Sequence, residues 1–177
     1  MSTRSKDIIS STLLTLMETS SFNEITVSEI CSNALLARKT FYNNFDSKED
    51  VISYAVEKLV LEYHETLSEV NVYSPLEISY LFFCFGKKHE KFMTLLIENN
   101  LYHLFKVCFE THLPAINALV PQNKLNVLKD DQLRYVFAFH TSGVLRMLEL
   151  WIEDGFTKTA REMSHIYHTL SLGVQDE

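Results

Sequence analysis

Apolar residues recur along most of the chain at intervals of three and four positions, the spacing that places side chains on one face of an α-helix. The first stripe is Ile9, Leu13, Leu16 and Met17, and it predicts a helix over residues 5–18. Glycine and proline, which interrupt helices, number only 4 and 3. The sequence therefore predicts an all-α fold of about nine helices.

Several helix starts are marked by capping boxes, in which a Ser or Thr caps the helix and an acidic residue three positions later reaches back to it. Such boxes begin at Thr26, Ser47 and Thr159, and Pro75 after Ser74 marks a further start. These signals and the apolar spacing predict helices over residues 5–18, 27–33, 37–44, 47–70, 75–86, 89–98, 100–112, 129–154 and 160–172. We expect Pro114 and Pro121 to flank a loop or a short helical turn.

The two short helices, 27–33 and 37–44, are joined by a tight link. A helix-turn-helix uses this layout to place its second helix in the DNA major groove. Phe41 and Phe45 are left for the core, while the polar or hydrogen-bonding residues of the second helix are Arg38, Lys39, Thr40, Tyr42, Asn43 and Asn44. These side-chain types bind base edges and phosphates. Lys48 begins the next helix, where free N–H groups favour an anion.

Charge modifies this interpretation. With 16 basic and 23 acidic residues the net charge is −7, which excludes a wholly basic nucleic-acid binder but not a local basic patch. Residues 38–48 contain Arg38, Lys39 and Lys48 against Asp46. So few cations predict modest, salt-sensitive binding to phosphates. The same spacing also fits a plain three-helix bundle with a solvated polar face.

The segment Ile25–Ile30, then Ala34, then the run Thr40–Asp50 resembles the signature of the TetR family of transcriptional regulators. The resemblance implies a dimer of all-α subunits. Residues 1–50 would be a helix-turn-helix DNA-binding domain, and residues 51–177 a helical domain for dimerisation and effector binding. A long helix over 47–70 would connect them. The implied function is a dimeric repressor on a near-palindromic operator, with a small ligand as the candidate for its release.

The resemblance also assigns roles to residues. By this resemblance, DNA phosphates would be contacted by Tyr42 and Lys48, and the DNA backbone more generally by Thr26 and Thr40. The positions that usually contact bases are Arg38, Lys39 and Asn43.

Four positions depart from the family pattern. Leu35 stands where glycine is usual, and Ala37 replaces a Ser or Thr cap. Lys39 occupies a position often held by glycine, and Asn44 one where histidine is common. These departures leave the turn geometry open and predict an unusual operator or weaker binding.

The C-terminal segment Leu148–Phe156, with Thr159, Glu162 and Met163, is similar to a TetR subgroup that includes activators of dihydroxyacetone-kinase operons. Apolar stripes on the last two helices predict a four-helix dimer interface made of Val136, His140, Gly143, Val144, Met147, Trp151, Met163, Ile166, Tyr167 and Leu170. The alternative is that the same stripes form the subunit's own core.

The middle helices are rich in aromatic residues. Their candidate ligand-pocket residues are Phe82, Phe83, Phe105 and Phe109, although such a stripe also fits simple core packing. His165 and His168 have chelating spacing, but the sequence places no third ligand near them, so no metal site is expected. Three widely spaced cysteines are expected to be reduced.

No nucleophile, phosphate-loop or zinc-protease motif is found, so we expect neither enzymatic activity nor a cofactor. Without a secretory signal or a long apolar run, the protein is expected to be cytoplasmic, with no membrane partner. The expected partners are double-stranded DNA, a second copy of the chain, and a small-molecule or protein effector. The alternative function is a helical protein-interaction module with a TetR-like fold that acts through a protein partner, with weak or no DNA binding.

Overall fold

The computed structural model describes residues 3–70, 74–118 and 130–172. Within these ranges every regular element is an α-helix, so the predicted all-α fold is confirmed. The nine helices of the described residues are α1 (Thr3–Met17), α2 (Val27–Asn33), α3 (Arg38–Tyr42), α4 (Lys48–Glu69), α5 (Pro75–Lys88), α6 (Glu90–Glu98), α7 (Tyr102–Ala118), α8 (Asp130–Glu153) and α9 (Ala160–Leu172). None of them is long and apolar enough to cross a membrane.

The helix boundaries follow the predicted caps. Thr26 Oγ1 accepts a hydrogen bond from the Glu29 amide at 3.2 Å, and Glu29 Oε2 accepts one from the Thr26 amide at 2.7 Å. The same reciprocal arrangement occurs at two further helix starts, between Ser47 and Asp50 and between Thr159 and Glu162. Each box satisfies N–H groups that a helix start leaves without an intrahelical partner.

Helix α7 continues through Pro114 to Ala118, so the predicted helix end at residue 112 was wrong and neither a loop nor a separate helical turn begins at Pro114. Proline lacks the N–H that would bond to the carbonyl of Glu110, four residues earlier. Both residues are exposed, so water can satisfy that carbonyl instead. Pro121, the other expected end of the loop, lies outside the described residues.

Helix α4 connects the two ends of the molecule. In its first half, Tyr54 donates a hydrogen bond to Asp7 of α1 at 2.8 Å, and Lys58 lies 2.7 Å from the same carboxylate. In its second half, the buried ring of Tyr63 lies 5.9 Å from that of Phe109 in α7. One helix thus joins α1–α3, called the head below, to α5–α9, called the body.

A continuous apolar core extends from the head into the body. In the body, Trp151 is 2% exposed, and its Nε1 donates a hydrogen bond to the Lys158 carbonyl at 3.1 Å. The buried residues of the head include Ile9, Leu13, Ile30, Phe41 and Phe45. Phe41 is the buried residue of α3 and anchors that helix against the rest of the head, while Arg38, Lys39 and Tyr42 are exposed.

Candidate nucleic-acid interface

The link between α2 and α3 is a tight turn closed by two hydrogen bonds. The Leu36 amide donates to the Cys31 carbonyl at 2.9 Å, and the Leu35 amide donates to the Ser32 carbonyl at 3.3 Å. This is the Schellman arrangement, in which the residue after the C-cap takes a left-handed backbone. Leu35 takes it with φ +54°, although glycine is the residue that favours this region. The turn therefore forms despite the leucine.

Helix α3 directs polar groups outward. Arg38, Lys39 and Asn43 are exposed, and Tyr42 is 51% exposed. The Tyr42 ring packs edge-on against the buried Phe41 ring, with centroids 5.4 Å apart. Packing of this kind limits the positions that the Tyr42 hydroxyl can reach. The surface therefore offers two cations, an amide and a phenol, which are groups that bind base edges and phosphates.

Other predicted contact residues form hydrogen bonds inside the chain. The Thr26 hydroxyl caps α2 and donates to Glu29 Oε2 at 2.8 Å. Hydrogen bonds from the Thr26 amide and hydroxyl lower the pKa of Glu29, so its carboxylate stays ionised at the cap. Thr40 is half-buried, and its carbonyl accepts a hydrogen bond from Asn44 Nδ2 at 2.7 Å. Asn44 Oδ1 is buried and has no hydrogen-bond partner among the described residues.

Lys48 reaches across to the loop between α1 and α2. Its Nζ donates to the carbonyls of Phe22, Asn23 (3.3 Å) and Ile25 (2.9 Å), and lies 4.5 Å from the centroid of the Phe22 ring. An ammonium group has three N–H donors. Three carbonyls occupy them here, so a phosphate contact by Lys48 would require one of these hydrogen bonds to break.

The residues predicted for a dimer interface separate into three groups by burial. Val144, Trp151 and Met163 are buried in the chain's own core, so for them the interface prediction was wrong. The partly buried members are Val136, His140, Met147 and Tyr167, and the exposed members are Gly143, Ile166 and Leu170. The prediction stands as a prediction for the exposed residues.

Sequence reasoning missed the aromatic side chains on the outer face of α8. Tyr135 is 63% exposed, Phe139 is 71% exposed and Leu150 is 43% exposed. Each of these residues comes one position before a residue of the predicted interface stripe. One position corresponds to about 100° around the helix, so these side chains lie on a different face from the stripe. The interface stripe on α8 was predicted from its apolar residues, but that face of α8 packs into the chain's own core. An i, i+4 pair of aromatics at 135 and 139 was the signal available.

The predicted pocket residues pack against one another. The rings of Phe82 and Phe83 have centroids 5.6 Å apart, those of Phe82 and Phe109 5.4 Å, and those of Phe105 and Phe109 5.8 Å. All four side chains are buried. In this arrangement they form core, which was the alternative interpretation.

The histidines do not assemble a metal site in the part of the chain that the structure describes. There, no three His, Cys, Asp or Glu side chains come together in a group that could hold an ion. The His140 ring instead lies beside the Tyr167 hydroxyl, with Nδ1 at 2.9 Å, and burial lowers the pKa of His140.

Comparison with protein families gives one match. Residues 73–173 match a family model described as the C-terminal region of a transcriptional regulator. This span is more than half of the chain. A search of curated protein sequences gave no significant match.

Solved structures share the fold over nearly the whole chain. The fatty acid degradation regulator FadR from Bacillus halodurans has a TM-score of 0.70 at 16% identity, covering 100% of this chain and 99% of that one. The dihydroxyacetone kinase operon activator DhaS has a TM-score of 0.65 at 19% identity, covering 97% and 96%. Thermus thermophilus FadR, a TetR-family repressor in complex with lauroyl-CoA, has a TM-score of 0.60 at 16% identity, covering 97% and 95%. At these identities the likeness establishes the fold.

Proposed function

Because the chain belongs to the TetR family of transcriptional regulators, we propose that it is a dimeric repressor that places α3 in the major groove of its operator. Membership of this family makes it a regulator and not an enzyme. The observation that supports the proposal is the geometry of α2 and α3: a closed turn, a buried Phe41 anchor and an exposed polar surface beyond it.

The exposed groups of α3 divide into two roles. Arg38 and Lys39 are suited to guanine edges, and Asn43 to adenine. Tyr42, held by its packing on Phe41, is suited to a phosphate oxygen. Thr26 and Thr40 lie at the edges of this surface as weaker candidates, because the Thr26 hydroxyl already caps α2 and Thr40 is half-buried. The structure gives less support to Asn44 and Lys48 as phosphate contacts, since both side chains form hydrogen bonds within the chain.

A second copy of the chain is part of the proposal. The outer faces of α8 and α9 present apolar side chains, namely Tyr135, Phe139, Leu150, Ile166 and Leu170. These two helices contact each other, and large apolar side chains exposed on neighbouring helices favour association. A two-fold dimer would present two α3 helices to half-sites about 34 Å apart, or one helical turn of DNA, and the operator would be near-palindromic.

The first experiment recovers genomic DNA fragments bound by the purified dimer at moderate salt and sequences them. Wild-type protein should enrich a few sites that share a near-palindrome. Arg38→Ala/Lys39→Ala should lose that enrichment, while Lys87→Ala/Lys88→Ala, which removes the same charge from the body, should keep it. If both variants lost the enrichment, the net charge of the protein would explain DNA binding, and α3 would have no specific role. No enrichment by a folded wild-type dimer would favour the protein-interaction module instead.

A small-molecule effector that carries an acyl chain completes the proposal. One structural neighbour is in complex with lauroyl-CoA, which makes that compound a defined probe for this chain. If the body opens to admit an acyl chain, lauroyl-CoA should raise the unfolding temperature and release the recovered DNA. Coenzyme A without the acyl chain is the matched control. Unchanged unfolding and DNA binding with lauroyl-CoA would exclude this ligand class.

A further inference from the structure

The backbone of Phe22 is held from two sides. Phe22 lies in the loop between α1 and α2, and its side chain is 3% exposed. Its amide donates a hydrogen bond to Asn99 Oδ1 at 2.8 Å, across 77 positions of sequence. Its carbonyl accepts a hydrogen bond from Lys48 Nζ. One buried residue of the head therefore contacts both the end of α6 and the start of α4.

Asn99 belongs to the body, and its side chain is held in a fixed orientation toward the head. It is the C-cap residue of α6, and its Nδ2 donates to the Leu95 carbonyl of the same helix at 2.9 Å. This second hydrogen bond fixes the orientation of the amide, so that Oδ1 faces the Phe22 N–H. No backbone carbonyl of the described residues accepts from that N–H, so Asn99 is the partner that satisfies it.

The turn that follows Asn99, between α6 and α7, is connected to α8 by a hydrogen bond. Asn100 has φ +59°, and the Leu101 amide donates to the Leu96 carbonyl at 2.7 Å, which closes a Schellman turn. The Tyr102 hydroxyl then donates to the Leu145 carbonyl of α8 at 3.0 Å in the core. The outer face of α8 is the surface proposed above for dimerisation. The backbone of residues 99–102 thus connects two sets of hydrogen bonds, one from Tyr102 to α8 and one from Asn99 through Phe22 to Lys48.

On the head side these hydrogen bonds end beside the recognition helix. Only five residues separate Lys48 from the last residue of α3, and its ammonium also holds the carbonyls of Asn23 and Ile25, just before α2. Lys48 therefore joins the loop before α2 to the start of α4, next to α3. A displacement of the Phe22 peptide relative to α6 would reorient the whole head.

We propose that Asn99 is a positioning residue that sets the angle between head and dimerising body, and thereby the spacing of operator half-sites that the dimer accepts. This inference rests on the DNA-binding function proposed above. It assigns Asn99 no contact with DNA. The exposed ion pair between Lys91 and Glu18, at 2.7 Å, also joins α6 to the end of α1, but solvent screening makes it a weak constraint.

The test measures binding of full-length dimers to operators whose central spacer is lengthened or shortened by one base pair. Wild type should prefer its own spacer by about tenfold or more, as a misplaced half-site loses base contacts. Asn99→Ala should reduce that preference to about two- to threefold, because the buried Phe22 N–H loses its partner and the head is freed to rotate. Base preference within each half-site should not change, since α3 is untouched.

Two variants complete the design. Asn99→Asp keeps an oxygen for the Phe22 N–H but loses the donor to the Leu95 carbonyl, so it should restore only part of the spacer preference, whereas Lys91→Ala should leave that preference unchanged. Circular dichroism and dimer mass confirm that each variant is folded. Asn99→Ala with a wild-type spacer preference would overturn the inference while leaving the proposed function intact. A wild-type protein that binds no operator would instead refute the proposed function.

Discussion

Leu35 provides a direct test of the turn that connects α2 to α3. Three Schellman turns in the described residues have Leu35, Asn100 and Gly155 at the left-handed position, and only the leucine is unsuited to it. A left-handed backbone costs an L-residue about 1–2 kcal/mol. Because Leu35 is 91% exposed, its replacement sacrifices little buried surface. Leu35→Gly removes the strain but gives the unfolded chain about 0.4–1 kcal/mol of extra conformational freedom. We therefore expect a net gain of about 0.5–1 kcal/mol.

The gain should appear in thermal unfolding as a rise of about 1–4 °C, measured at equal protein concentration because the proposed dimer would make the unfolding temperature depend on concentration. Leu35→Ala is the control, since it removes the side chain but keeps the strain, and it should change little. Gly155→Ala is the reverse test: φ is +68° and nothing lies within 4 Å of the added Cβ, so strain alone should lower stability by about 1 kcal/mol. An unchanged or lower unfolding temperature for Leu35→Gly would refute this reasoning.

Three further outcomes follow from the structure. Gly86→Ala should destabilise the fold by about 1–3 kcal/mol in urea unfolding, because its Cβ would meet Leu148 Cδ1 at 2.6 Å in the core; Gly143→Ala, which meets nothing within 4 Å, should not. Phe139→Glu should raise the dimer dissociation constant in analytical ultracentrifugation at least about tenfold, whereas the same change at Leu61 of α4 should not. The free energy of unfolding should fall as the pH drops below 4.5, the ordinary pKa of Glu. The hydrogen bonds at the cap lower the pKa of Glu29, so protonation of its carboxylate removes the stability that these bonds contribute. In urea titrations the fall should be weaker for Glu29→Gln.

Much of the fold follows from local signals in the sequence. The capping boxes at Thr26, Ser47 and Thr159 depend on residues three positions apart, so their prediction needed no tertiary information, and all three form. The anchor Phe41 and the outward polar face of α3 follow from helical periodicity in the same way. By contrast, the helix end expected before Pro114 was wrong, because the exposed Glu110 carbonyl can bond to water instead of the missing proline N–H, and exposure is a property of the packed structure.

The remaining features depend on contacts between distant segments. The hydrogen bond between Asn99 and Phe22 joins residues 77 positions apart, and no local pattern indicates it. Lys48 occupies a position associated with phosphate binding, yet its donors are filled by carbonyls of a loop more than twenty residues earlier. For α8, periodicity identified an apolar face but could not decide whether it meets the chain's own core or a partner. The core covers Trp151, and the outer aromatics were therefore missed.

The central claim is that α3 reads bases in the operator, and the most direct test is to compare the sequences selected from random DNA by wild type and by Asn43→Ala. Both proteins should select two half-sites in inverted repeat. The variant should lose base preference at one position in each half-site, symmetrically, at a cost of about 1–3 kcal/mol per contact, and keep its preference elsewhere. An identical selected sequence for both proteins would contradict the placement of α3 in the major groove.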